Sequence, residues 1–143
     1  MTYATRDDLN AAFGQDQVDR LAARPENEDG SEAVARALSY AEGVISGRLA
    51  VRFILPLSET PPLVRDIAVD LAIARLASDA TSLTDDIRLR EKTARSDLDR
   101  IADGKMNLGL PSGDAGSETG DRPQPIVSST GGKLFTRDRL RGL

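Results

Sequence analysis

Two adjacent carboxylate pairs, Asp7-Asp8 and Asp85-Asp86, are the residues in this 143-residue chain whose type and spacing come closest to a reacting group. A carboxyl pair can share out the roles of general acid and general base, or hold a metal ion, but only if the fold gathers it into a pocket. Each pair directly follows or closely follows a threonine at the start of an apolar-periodic segment, Thr5 and Thr84. There the hydroxyl accepts a free backbone N–H and the carboxylates meet the positive end of the helix dipole, so capping accounts for both pairs. The rest of the catalytic repertoire is thin. Histidine and cysteine are both absent, which removes the usual proton shuttle, the strongest nucleophile, disulfides and every imidazole or thiolate metal site. No glycine-rich phosphate loop ending in Gly-Lys-Ser or Gly-Lys-Thr is present. The expectation is a protein that is not an enzyme and takes no cofactor or metal.

Recognition chemistry is concentrated instead at Lys133-Leu134-Phe135-Thr136-Arg137-Asp138-Arg139-Leu140-Arg141-Gly142-Leu143. Leu134, Phe135 and Leu140 offer apolar area, and Arg137, Arg139 and Arg141 offer planar forks that can hold a carboxylate bidentately. These six are the candidate partner-binding residues. Between Gly104 and this tip lies a stretch of Gly, Pro, Ser and Asp too poor in aliphatic residues to build a core. The expected organisation is a helical domain over residues 1–104 and an extended arm over 105–143 that carries the docking tip and adds little to the core.

The overall charge is −4, and the tip holds three basic residues in excess, so the remainder stands near −7. Such a body is a poor surface for sequence-independent attraction to a phosphate backbone. No apolar run approaches the length of a membrane span, and the first residues show neither a basic nor an apolar leader region. The expectation is a soluble protein, made and used without export, with no membrane partner.

The elements that must position these groups read as helices. Aromatic residues make up only 3% of the chain, while Ala, Leu, Ile and Val are plentiful, which favours close-packed helices over a β-sandwich. Thr5 opens a short helix with Leu9, Ala12 and Phe13 on its apolar face; Gly14 interrupts, and Val18, Leu21 and Ala22 resume the spacing until Pro25. Ser31 reads as the cap of a long helix with one buried stripe, Val34, Ala37, Leu38, Ala41, Val44, Ile45 and Leu49. Gly43 and Gly47 beside that stripe read as points of close approach by a neighbouring helix, with Tyr40 at its edge. In Arg52-Phe53-Ile54-Leu55-Pro56-Leu57, Pro56 takes Leu55 out of helical geometry and the apolar residues are expected to cover the core. Pro61-Pro62 opens a helix that is apolar almost all round from Leu63 to Leu76, the expected centre of the domain. Thr84 opens the last helix, with Ile87, Ala94, Leu98 and Ile101 buried, an outer face of alternating charge, and Gly104 at its C-terminal turn. The fold class is therefore all-α, a small bundle of four to five helices.

The order Tyr3-x-Thr5-x-x-Asp8-Leu9, Phe13-Gly14, Ala33-x-x-x-Ala37-x-x-x-Ala41 with Leu49, Arg52-Phe53-x-Leu55-Pro56-Leu57 and Pro61-x-Leu63 resembles the small head-tail connector proteins of Mu-like phages and prophages. Ala94-x-x-x-Leu98-x-x-Ile101-x-x-Gly104 and the Phe135-Thr136-Arg137-Asp138 ending resemble them too, so that the likeness spans nearly the whole chain. The acidic, Gly-rich stretch from Ser112 to Arg122 departs from the pattern. The resemblance implies a virion adaptor at the head-tail interface, made in the host cytoplasm. It would form a ring, as a dodecamer matching the portal protein, and meet a tail-side connector or terminator protein, while DNA passes through the lumen without specific binding.

The alternative from another class is a DNA-binding regulator or packaging accessory, since short helices joined by turns can form a helix-turn-helix. A recognition helix needs Arg, Lys, Asn or Gln on its leading turn. The helix at Thr84 begins with Asp85-Asp86, and the one at Pro61 is too apolar for a groove.

Overall fold

A computed structural model describes residues 2–25 and 30–110. Five helices follow one another, α1 (Arg6–Phe13), α2 (Gln15–Ala22), α3 (Ser31–Leu49), α4 (Pro62–Asp79) and α5 (Asp85–Ala102), with no strand among the described residues. The all-α bundle expected from the sequence is thus present. Of the arm expected over residues 105–143, the part beyond Leu110, with the expected docking tip, lies outside the described residues.

Helix ends form where local chemistry dictates. Thr5 closes a reciprocal capping box: its hydroxyl accepts the Asp8 N–H, and the Asp8 carboxylate accepts the Thr5 N–H at 2.7 Å. Thr84 caps α5 by accepting the Ile87 N–H. Pro62 occupies the first position of α4, where a missing N–H costs little. At the end of α5, Gly104 turns left-handed at φ 76°, and the Gly104 and Lys105 N–H groups return to the carbonyls of Ile101 and Arg100. That double bond pattern satisfies two carbonyls the helix would otherwise leave open.

The core is aliphatic and centred on α4. Ile67, Ala68 and Val69 are buried in succession, as are Leu71 through Ala74, so the middle of the helix is enclosed nearly all round while Arg65, Asp66, Arg75 and Asp79 toward its ends stay exposed. It contacts each of the other four helices. α3 and α5 pack along it through Ala37, Ala41, Ile45 and Leu49 and through Ile87, Ala94, Leu98 and Ile101. The Arg6–Asp19 ion pair at 2.8 Å joins α1 to α2, and the pair is tied onto the bundle by Leu9 and Val18, both fully buried, and by a hydrogen bond between the Tyr3 and Ser46 hydroxyls at 3.1 Å.

Four expectations are corrected. Gly30, not Ser31, is the cap of α3, because the chain turns left-handed there at φ 61° and a Cβ would lie 2.5 Å from that of Ala22. The close approach expected at Gly43 and Gly47 occurs at Gly30 instead; a Cβ at either helical glycine would meet nothing within 4 Å. Ala12 is exposed, since α1 is only eight residues long and Leu9 with part of Phe13 fills its contact face. Finally, the core continues past Gly104: the turn reverses the chain, Leu108 is buried, and Met106 and Leu110 are half-buried against the cluster.

Candidate interaction surface

The loop between α3 and α4 forms one pole of the bundle. α3 ends when the Arg52 and Phe53 N–H groups both bond to the Leu49 carbonyl, at 3.0 and 2.8 Å. Arg52 then spans to the end of α5: its Nη1 donates to the Ile101 carbonyl at 3.4 Å, its guanidinium lies 5.8 Å from the Phe53 ring centre, and Gly104 leaves room for it. After the cis Leu55–Pro56 peptide the chain drops back to the core. Leu57 is buried, with Phe53 and Leu55 half-buried beside it. Ile54 does not follow, contrary to the expectation that this run covers the core. With Phe53 and Leu55 turned inward, Ile54 and Val51 point out, 70% and 73% exposed. Together with Leu89 on α5, they are the large apolar side chains most open to solvent among the described residues.

Charged groups are largely engaged by their own chain. Arg90 is a junction of α1, α4 and α5, stacked 5.3 Å from the Phe13 ring centre, bonded to Asp86 at 3.1 Å and 3.8 Å from Asp70. Burial pushes the Asp70 carboxyl above its usual range, Arg90 opposes that, and Asp66 and Asp86 add to the rise. Asp8 moves the other way, held down by the backbone and hydroxyl of Thr5. Arg95 pairs with Glu91 and donates to the Tyr40 hydroxyl, and these two bonds raise its already high pKa. A hollow of about 420 Å³ is lined by Arg24, Ala33, Arg36, Arg75 and Asp79. Arg24 is spent on the Leu21 and Ala23 carbonyls, and Arg75 on Asp79 and the Tyr40 ring.

The carboxylate pairs singled out in the sequence stay apart in their work. Asp8 closes the cap of α1, and Asp86 pairs with Arg90 one turn further along α5. Among the described residues no three carboxylates are grouped to hold a metal ion, and no helix is long and apolar enough to cross a membrane. The six tip residues, Leu134, Phe135, Arg137, Arg139, Leu140 and Arg141, lie outside the described residues. The Val51 and Ile54 pole was missed by sequence reasoning. Its only signal was an apolar run with no helical or strand period.

The architecture is that of a small aliphatic helical bundle with an apolar pole on its surface. The chain belongs to the Bacteriophage Mu Gp36 family, whose pattern matches residues 3–125. It is 34% identical over 124 residues to gene product J of Escherichia phage Mu, covering 85% of this chain and 86% of that protein. To the Mu-like prophage FluMu protein gp36 of Haemophilus influenzae it is 27% identical over 141 residues, covering 98% and 96%.

Proposed function

We propose that this protein is a structural head-tail connector of a Mu-like phage, an adaptor that assembles as a ring under the portal and joins the capsid to the tail. The observation that carries the reading is membership of the Mu Gp36 family across the whole described bundle. Two physical features support it. The body is acidic, which suits a lumen that must let DNA slide without trapping it. The described surface presents an apolar pole, as an assembly component requires.

The DNA-binding alternative finds less support. α5 opens on Asp85 and Asp86, and Arg90, Arg95 and Arg100 all pair with acids of their own helix. In a gel shift at physiological salt no tight, sequence-selective complex is expected; a nanomolar complex with one duplex would favour the regulator reading. The decisive experiment removes Lys133 to Leu143. Helix content and melting temperature are expected to stay nearly unchanged while capsids fail to join tails or lose DNA. Normal joining by a folded, truncated protein would remove the tip from the mechanism, and a particle image lacking a ring beneath the portal would remove the connector reading itself.

A further inference from the structure

Val51 and Ile54 are exposed large apolar residues on a pole whose neighbours Phe53, Leu55 and Leu57 already touch the core. From Ile54 to Thr60 the loop makes no backbone–backbone hydrogen bond within the described residues, so its N–H and C=O groups are free to meet another segment. Glu59, in the same loop, is exposed and makes no ion pair with any described residue. α5 also ends at this pole, because Arg52 reaches across to the Ile101 carbonyl and sits against Gly104.

We propose that this pole is the docking site for the Leu134–Leu140 segment of the same chain before the protein meets its partners. The chemistry is complementary. Phe135, Leu134 and Leu140 would cover Val51 and Ile54, while Arg137 or Arg139 pairs with Glu59, and a tip of net charge +3 over Lys133 to Leu143 rests on a bundle of net charge −5 over residues 1–110. Reach does not limit the contact: the 23 residues from 111 to 133 span at most about 80 Å, well beyond the length of α3. Tethering raises the local concentration of the tip at its own pole far above that of any second copy in dilute solution. The docked tip then hides the pole's apolar surface until assembly displaces it. The inference extends the connector reading by saying where the tip rests beforehand, yet it is tested on the free chain and can fail while head-tail joining holds, or the reverse.

The chain has no cysteine, so a pair can be introduced cleanly. Full-length Ile54→Cys with Phe135→Cys is compared under mild oxidation, at low concentration, with Leu89→Cys and Phe135→Cys, whose first site is equally open but lies near the far end of α5. The within-chain disulfide is expected to form about ten-fold faster at position 54 than at 89, as a raised effective concentration requires. Equal rates, or a disulfide found only between two chains, would overturn the proposal. A second readout is independent of disulfide geometry. A polarity-sensitive dye on Val51→Cys is expected to shift to the red when Lys133 to Leu143 is deleted, and an unchanged spectrum would count equally against it.

Discussion

α4 and the loop that leads into it are two neighbouring stretches of similar apolar content that meet opposite environments. In α4, Leu71, Ala72 and Ile73 are fully enclosed because helices lie on every side of it. In the loop, Leu57 is buried while Ile54, three residues earlier, is 70% exposed. Hydropathy alone does not separate the two. What separates them is whether a regular element repeats the apolar position onto a partner, since an irregular segment can direct only some of its side chains inward before the chain must turn. Apolar residues left outside by such a turn point to contacts with something other than the core.

The sharpest test of this contrast is a pair of truncations. Leu71→Ala leaves a cavity in the tightest part of the bundle and is expected to cost about 2 to 5 kcal/mol in urea unfolding. Ile54→Ser removes a side chain from water and is expected to stay within about 0.5 kcal/mol. Similar costs at the two positions would mean that the loop is part of the core and that its exposure has been misassigned.

Next in size is the capping box at the N-terminal edge. Thr5→Ala is expected to cost about 1 kcal/mol through loss of the Asp8 N–H partner. The effect should depend on pH. The Thr5 backbone and hydroxyl hold the Asp8 pKa below its ordinary 3.8, so the folded carboxylate binds its proton less tightly than the unfolded one. Its contribution is therefore present above the unfolded value and lost as pH falls through the lower, folded value. Asp70, raised by burial, works in the opposite direction: its ionisation weighs against the fold as pH rises from the unfolded value through the folded one. The gap between wild type and Thr5→Ala, measured from neutral to strongly acidic pH, cancels Asp70 and is expected to narrow toward the acid end. A gap constant across that range would detach Asp8 from the cap.

Much of the bundle was legible because its signals are local. Thr5, Thr84, Pro62 and Gly104 act through groups within a few residues of themselves, and the expected helix starts and stops at those positions agree with the structure. The buried stripe of α3 and the nearly all-round burial of the middle of α4 follow from periodicity in the same way. What escaped depends on distant partners. Gly30 replaces Ser31 as a cap because of Ala22, Leu108 returns to the core after the turn at Gly104, and Ile54 is left outside because Phe53 and Leu55 on either side of it turn inward. Composition marked the tip as a docking element, yet the pole that could receive it is visible only once three elements meet at Arg52.

The smallest expected effect has the opposite sign. Gly43 and Gly47 lie on the outer face of α3, both exposed, with no atom within 4 Å of where a Cβ would stand. Neither has a left-handed backbone, so alanine fits the existing conformation without strain. Each Gly→Ala change should therefore stabilise the isolated chain by roughly 0.5 to 1 kcal/mol, the helix-propensity difference, chiefly by narrowing the unfolded ensemble. This reverses the expectation from sequence, in which a neighbouring helix would press on both positions and a methyl group would be resisted. A rise in melting temperature for each single variant, roughly additive in the double, separates the open outer face of α3 from its packed inner face. A fall at either position would show a close neighbour there and return that glycine to the packing role first read for it.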